Sequence, residues 1–161
     1  MRLFPTSAGM SQLRGLIDIL KYNDGIVSVS ELSSETRKTI DVLFPLLNAA
    51  DLLGFCEIKN GRVVLTEKGR KVNSKNFANL VAESLKDVEP FKSVLQALKK
   101  NPLNITELAQ ALEAQGVVLY AEPATNAELL KSMLTKWGIR SGLLNYESKS
   151  DKWRLSKKFS Q

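Results

Sequence analysis

The sequence predicts a mainly α-helical protein with small β-hairpins, an α+β fold built from two similar units. Three observations predict this class: apolar residues recur at helical spacing, hairpin signals follow the helices, and the same order of elements occurs twice. The length of 161 residues fits two small units of about 75 to 85 residues each. We place the first unit at residues 1–75 and the second, with a connecting helix, at residues 76–161.

The first unit begins with a helix, because apolar residues lie at helical spacing from Leu13 to Leu20. An Asn-Asp-Gly sequence at residues 23–25 ends this pattern. Ser28 and Glu31 then form a capping box, in which each side chain can satisfy a free backbone N–H of the other residue. We therefore expect a short second helix directly after Ser28.

A longer apolar stretch predicts the third helix, which ends at Gly54. Pro45 lies inside this stretch and lacks the N–H that would bond to the carbonyl of Asp41, so we expect a late start or a kink. Asn60 and Gly61 stand between alternating apolar residues and predict a two-residue hairpin turn. Three helices followed by a hairpin is the order of a winged helix.

The second unit repeats this order after a connecting helix over residues 77–88. Asn104 and Glu107 repeat the capping box, and the sequence from Thr125 to Glu128 predicts a cap for the third helix. Trp137 lies on the apolar face of that helix, where we expect it to be buried. Residues 143–146 and 152–156 predict the second hairpin. The connecting helix either packs the two winged-helix units together in tandem or makes the chain a homodimer.

The residues that are missing exclude several classes of function. The sequence contains no His, and Cys56 is its single cysteine. An intrachain disulfide and Ser-His-Asp or Cys-His catalysis are therefore excluded, and the composition does not favour a transition-metal site. Phosphate-cradling glycine motifs do not occur either, so we expect no cofactor and no enzymatic activity. We expect Cys56 to be a core thiol.

The acidic residues at the predicted caps have a structural explanation and do not indicate catalysis. No apolar run approaches the ~20 residues of a membrane-spanning helix, so we expect a cytoplasmic protein without direct membrane insertion. The net charge of +6 allows nucleic acid as a partner without indicating it.

Four segments of the sequence resemble a known family. They are LRGLIDIL at residues 13–20, LFPLLNAADLLGF at 43–55, LTEKG at 65–69 and WGIRSGLLNY at 137–146. The last is similar to the family pattern W-G-R-Y-A-E-L-F-x-Y, from which Ile139 and Arg140 depart. The family is the AAA-associated C-terminal domain that follows the ATPase of nitrate, sulfonate and bicarbonate-type ABC transporters, mainly in archaea.

The resemblance covers most of the chain and implies a tandem winged architecture. It also implies a regulatory or interaction module that is attached to a transporter ATPase, or accompanies one, at the inner face of the membrane. The family offers no catalytic residues to transfer to this sequence.

The leading functional hypothesis is a non-enzymatic module that binds a protein partner, such as a transporter ATPase, through its first unit. The third helix of that unit is apolar on nearly all sides, so it either covers a partner or is buried within the tandem. Its polar stripe contains Asp41 and Asp51, whose carboxylates would repel phosphates. The interface candidates are Leu43, Phe44, Leu47, Ala50 and Asp51.

The alternative hypothesis is a transcriptional regulator that binds double-stranded DNA through the second unit. The third helix of that unit presents a polar face for the major groove, and its hairpin adds basic residues for phosphates. The candidates are Lys131, Ser132, Thr135 and Lys136 on the helix, and Lys149, Lys152 and Arg154 on the hairpin. A solvated basic tail explains the same charges. A small-ligand pocket between the units, lined by Phe44, Phe55, Phe77 and Phe91, is a third alternative.

Overall fold

The computed structural model describes residues 2–159 and shows a mainly α-helical fold with small antiparallel sheets. The described chain divides into two compact units. The first is Phe4–Phe77, and the second consists of residues 2–3 together with residues 78–159. The predicted fold class is confirmed.

The first unit contains four helices and a three-stranded sheet. Its elements are α1 (Met10–Tyr22), β1 (Ile26–Ser28), α2 (Val29–Thr36), α3 (Ile40–Leu52), β2 (Cys56–Lys59), β3 (Arg62–Leu65) and α4 (Glu67–Arg70). The hairpin prediction is confirmed, because β2 and β3 pair in an antiparallel register around Asn60 and Gly61. Strand β1 was not predicted; it pairs with β3 and gives the sheet order β1-β3-β2.

The predicted cap at Ser28 is confirmed in part. Its hydroxyl accepts a hydrogen bond from the backbone N–H of Glu31 at 3.0 Å. The Glu31 carboxylate accepts from the Ser28 hydroxyl at 3.0 Å, so this carboxylate holds the capping side chain. The cap therefore fixes where α2 begins, as the sequence predicted.

Helix α3 runs through Pro45, and the expected late start is wrong. The N–H groups of Val42 and Leu43 both donate to the carbonyl of Thr39 at 3.1 Å. The first turn is thus formed before the chain reaches Pro45, whose missing N–H removes only one later hydrogen bond.

The core of the first unit lies between its three long helices and the sheet. Phe55 is fully buried and its ring centroid lies 6.3 Å from that of Phe77. Gly69 is buried against the carbonyl oxygen of Phe55, where an added Cβ would lie 2.3 Å from that atom. A side chain at position 69 would therefore displace the backbone after helix α3.

The second unit follows the same order of helices and hairpin. Helix α5 (Phe77–Leu85) leads into α6 (Phe91–Lys100), α7 (Ile105–Ala114) and α8 (Pro123–Met133), and α8 continues as a π-helical turn (Leu134–Ile139). Strands β4 (Leu144–Glu147) and β5 (Lys152–Leu155) form the predicted hairpin, and a 3₁₀ turn (Lys157–Phe159) follows. Trp137 is buried at 1% exposure, as predicted.

The helix caps of the second unit agree with the sequence at one end and differ at the other. Asn104 and Glu107 form the predicted capping box of α7. The cap predicted at Thr125 is wrong, because α8 begins at Pro123 and Glu122 caps it. Its carboxylate accepts from the Thr125 hydroxyl and from the N–H of Thr125 at 2.8 Å, and these hydrogen bonds lower the pKa of Glu122. Proline at the first helical position explains the earlier start.

Candidate functional site

Three large apolar side chains are exposed on the first turns of α3. Ile40 is 42% exposed, Val42 is 58% exposed and Phe44 is 47% exposed. We call these three residues the apolar patch. Ile40 and Phe44 share one side of α3 because they are four residues apart, whereas Val42 lies on the opposite side of the helix. Single exposed apolar residues are common on proteins, but three of them within one short stretch make a candidate binding surface.

Most of the interface residues that the sequence predicted are buried in the structure. Leu43 is 2% exposed, and Leu47 and Ala50 have no exposed surface, so these residues belong to the core of the first unit. Asp51 is half-buried, and Phe44 is the candidate with a large exposed area. The buried side of α3 packs on α1, α2 and β2, which accounts for most of the apolar residues along this helix.

A groove lies beside Val42 of the apolar patch. It consists of two neighbouring concavities of about 290 and 180 Å³ that share Gln12, Lys38, Leu43 and Leu46. Val42 lines the larger concavity, and Gly15 lines the smaller one. The walls come from α1, α2 and α3, so the first unit alone forms this groove.

Gly15 is unusual because it occupies the middle of α1. A Cβ added at this position would meet no atom within 4 Å, so packing within the chain does not require glycine there. Glycine in a helix interior costs about 1 kcal/mol relative to alanine. A close approach to the α1 backbone from outside the unit would account for this residue.

The helix candidates for DNA contact lie mostly on the surface of the second unit. Lys131, Thr135 and Lys136 are exposed, and Ser132 is half-buried. The hydroxyl of Thr135 donates to the carbonyl of Lys131 at 2.8 Å, which leaves its oxygen lone pairs toward other donors. Arg140, which the sequence analysis did not select, is also exposed and follows the π-helical turn directly.

The hairpin candidates are partly engaged within the chain. Nη2 of Arg154 lies 3.1 Å from the Glu147 carboxylate in an ion pair across the hairpin. Lys149 is exposed at the turn, and Lys152 is half-buried. Tyr146 donates its hydroxyl to Asp151 at 2.6 Å, and this hydrogen bond raises the pKa of Tyr146. The hairpin is therefore less basic than its sequence suggested.

The third helix of each unit carries different side chains at equivalent exposed positions. The order of buried and exposed positions from Leu43 to Cys56 recurs from Leu130 to Leu144, with one additional exposed residue inside the π-helical turn. In this alignment Phe44 of the first unit corresponds to Lys131 of the second. One unit thus presents an aromatic ring where the other presents a cation.

Neither metal binding nor thiol chemistry is favoured by this arrangement. Within residues 2–159, no three His, Cys, Asp or Glu side chains form a group that could hold a metal ion. Burial raises the pKa of the Cys56 thiol from 9.0 to about 12, with a smaller contribution from Asp51. A thiol of this kind stays protonated and unreactive, in agreement with its predicted core position.

The four phenylalanines that the sequence analysis named for a small-ligand pocket differ in burial. Phe55 and Phe91 are fully buried, and Phe77 is 9% exposed. They fill the cores of their units, and Phe44 alone of the set is largely exposed.

Comparison with known proteins identifies the family. Residues 30–147 match the family model of the C-terminal AAA-associated domain, which covers more than half of the chain. The protein belongs to this family. Neither a curated protein nor a solved structure matches the chain significantly.

The match to the C-terminal AAA-associated domain includes the apolar patch, Lys131, the hairpin of the first unit and strand β4 of the second. It also includes Gly138, which is buried and would bring a Cβ to 2.6 Å from the side chain of Leu144. Across residues 2–159 of this C-terminal AAA-associated domain, every helix is too short or too polar to cross a membrane.

Proposed function

We propose that this C-terminal AAA-associated domain is a non-enzymatic interaction module that binds a transporter ATPase through the apolar patch and the neighbouring groove. The two units are interpreted as winged helices in tandem, and the module acts in the cytoplasm beside its ATPase. The observation that carries the proposal is the exposure of Ile40, Val42 and Phe44 on the first turns of α3, where Val42 also lines a preformed groove.

Burial of the patch would supply the binding energy. Burying an apolar side chain of this size contributes roughly 1.5 to 3 kcal/mol relative to leaving it in water. Aromatic residues at an interface are typical sites where truncation strongly weakens binding. Phe44 is therefore the residue whose loss we expect to weaken the complex most.

Gly15 supports the same surface for a second reason. An unoccupied side-chain position on the groove floor allows an apolar side chain of the partner to approach the α1 backbone closely. The family supplies the class of partner, because the domain is by its description associated with AAA ATPases.

Binding of the purified chain to transport ATPases of its source organism, measured by biolayer interferometry, tests this proposal. The variant Phe44→Ser with Val42→Ser should bind at least about tenfold more weakly, since each factor of ten corresponds to about 1.4 kcal/mol. Tyr22→Ser is the matched control, because Tyr22 is 89% exposed and lies in the same unit outside the groove.

Thermal unfolding of each variant separates lost binding from lost folding. Unchanged binding of the double variant would refute the proposal, and so would an equal loss in Tyr22→Ser. A third variant, Gly15→Leu, should also weaken the complex, because its side chain would fill the smaller concavity.

DNA binding by the second unit is the second candidate function. The observation that favours it is the exposed group of Lys131, Thr135 and Lys136 on a helix that continues into Arg140. Phosphate contacts predict a steep salt dependence, roughly a thousandfold loss of affinity between about 50 and 200 mM salt for six contacts. A protein complex formed through apolar contacts would respond weakly to the same change.

Fluorescence anisotropy with labelled duplex DNA at both salt concentrations measures this difference. Binding that falls steeply with salt, and is lost in Lys131→Glu with Lys152→Glu, would support the DNA candidate. Absent binding at low salt would refute it and leave the protein-interaction proposal alone.

A further inference from the structure

Four lysines converge on one cleft of the second unit. Lys86 comes from the segment after α5, Lys92 and Lys99 come from α6, and Lys158 comes from the 3₁₀ turn. The cleft has a volume of about 380 Å³, and its apolar lining is Leu95, Leu155 and Phe159. We call it the lysine cleft. All of its lining residues lie within residues 78–159, so the second unit forms it alone.

The charge of the second half of the chain is concentrated on this cleft. Residues 76–161 contain 12 basic and 9 acidic residues, a net charge of +3. The cleft has four lysines and Glu83, which by itself gives a local charge of +3. Like charges repel, so their convergence raises a positive potential that an anionic ligand would neutralise.

The lysines of α6 are available to a ligand. Lys92 and Lys99 are exposed and form no ion pair within residues 2–159. Seven residues separate them, so they lie on one face of α6 about 10 Å apart along the helix. Two long cationic side chains at this separation can close on an extended chain of phosphates.

The cleft also contains an aromatic ring, Phe159, with two of the lysines nearby. Nζ of Lys86 lies 5.1 Å from the centroid of the Phe159 ring, and Nζ of Lys158 lies 5.7 Å from it. Lys86 is also paired with Glu83 at 3.1 Å, which fixes its position beside the ring. An aromatic base can pack on such a ring while the lysines face its phosphates.

We propose that the lysine cleft binds a nucleoside di- or triphosphate, with the phosphates on Lys92 and Lys99 and the base against Phe159. The volume lies within the range of small-molecule sites. A phosphate chain alone would use the lysines but leave the apolar lining without a role. This inference is independent of the apolar patch of the first unit.

Isothermal titration of the full chain with ATP, with inorganic pyrophosphate and with anionic phospholipid vesicles tests the proposal. ATP should bind with one site per chain and more tightly than pyrophosphate. The variant Lys92→Gln with Lys99→Gln should weaken ATP binding at least about tenfold. Phe159→Leu should weaken ATP binding and leave pyrophosphate binding unchanged.

The matched control is Lys131→Gln with Lys149→Gln, which removes the same charge from exposed positions outside the cleft. It should change ATP affinity by less than about twofold. An equal loss in this control would show general charge attraction and overturn the site. Equal affinity for ATP and pyrophosphate would overturn the nucleotide assignment.

Two further outcomes would also overturn the proposal. Binding of the anionic vesicles without binding of ATP would assign the cleft to a lipid surface. The absence of saturable ATP binding at about 1 mM ligand would mean that the lysines are only a solvated surface. Circular dichroism of each variant confirms that the fold is retained.

Discussion

Leu103 and Trp153 are joined by two backbone hydrogen bonds. The N–H of Leu103 donates to the carbonyl of Trp153 at 3.1 Å, and the N–H of Trp153 donates to the carbonyl of Leu103 at 2.7 Å. In the first unit, Val27 stands opposite Val63 in the same relation between β1 and β3. In both units, therefore, the segment after the first helix (α1 or α6) pairs with the last strand of the hairpin. The two units thus share this strand pairing as well as the order of their elements.

Substitution of two glycines by alanine should change the stability of the protein in opposite directions. Gly69→Ala should destabilise the protein by about 1 to 3 kcal/mol, because the new methyl group would lie 2.3 Å from the carbonyl oxygen of Phe55. Gly15→Ala should stabilise it by up to about 1 kcal/mol, because its Cβ meets no atom within 4 Å. Urea unfolding of the two variants measures both effects. A stabilising Gly69→Ala would contradict the close packing at this turn.

Thr66 and Ser156 each follow the last hairpin strand of their unit, and they provide a second matched pair. Thr66 accepts from the N–H of Gly69 at 3.1 Å and donates to the carbonyl of Gly54 at 2.6 Å. Thr66→Ala should therefore cost about 1 to 2 kcal/mol. The buried hydroxyl of Ser156 has no hydrogen-bond partner in the described part of the chain, so Ser156→Ala should be neutral or stabilising. Comparable losses in both variants would refute this assignment.

Side-chain truncation at single positions of α3 should distinguish its core residues from its surface residues. Leu47→Ala should destabilise the first unit by about 2 to 5 kcal/mol, because Leu47 has no exposed surface. Phe44→Ala should change stability by less than about 0.5 kcal/mol if the exposed ring serves binding. Chemical denaturation of both variants provides the test. A large cost at Phe44 would indicate that its ring supports the fold.

Ionisation of the Cys56 thiol should affect the free energy of unfolding only in the alkaline range. Both the folded and the unfolded thiol are protonated below pH 9, so stability is unaffected there. Above pH 9 the unfolded thiol ionises while the buried thiol, with a pKa of about 12, stays protonated. The free energy of unfolding should then fall by up to about 1.4 kcal/mol per pH unit. Urea unfolding at pH 8 and pH 10 measures this slope, and Cys56→Ala should lack the thiol contribution.

The π-helical turn should tolerate loss of its additional residue. Deletion of Lys136 should leave Trp137 in register with the core and change stability by less than about 1 kcal/mol. Deletion of Asn48 from α3, which has no π-helical turn, should rotate Ala49 and Ala50 by about 100° and unfold the first unit. Circular dichroism distinguishes these results. Unfolding of both deletion variants would show that the turn is required for the fold.

Most elements could be predicted because their signals are local. The helix ending before Gly25 and the hairpin at Asn60 and Gly61 follow from apolar spacing and from residues that favour positive φ, and these glycines and Asn60 indeed have positive φ. Strand β1 could not be predicted, since three residues carry little periodicity and its partner β3 is distant in the sequence. The cap of α8 was misplaced because a Thr-to-Glu spacing competes with a proline that starts the helix earlier.

The candidate sites depended much more on tertiary contacts. An apolar helix gives no local signal for which of its faces meets the core, so Leu47 and Phe44 were indistinguishable in the sequence. The lysine cleft joins residues from 83 to 159, and none of its lysines forms a motif with another. Arg154 was a candidate for phosphate contact, but the opposite strand supplies its partner Glu147.

The sequence by itself determined the repeated order of helices and hairpins and the core positions of Trp137 and Cys56, because periodicity, turn residues and side-chain chemistry act over short distances. Only the tertiary structure decided which apolar residues are exposed at the apolar patch and which lysines meet in one cleft. Both depend on contacts between segments that are far apart in the chain. The hydrophobic effect that drives these contacts is non-directional, so the local sequence does not specify which segments meet.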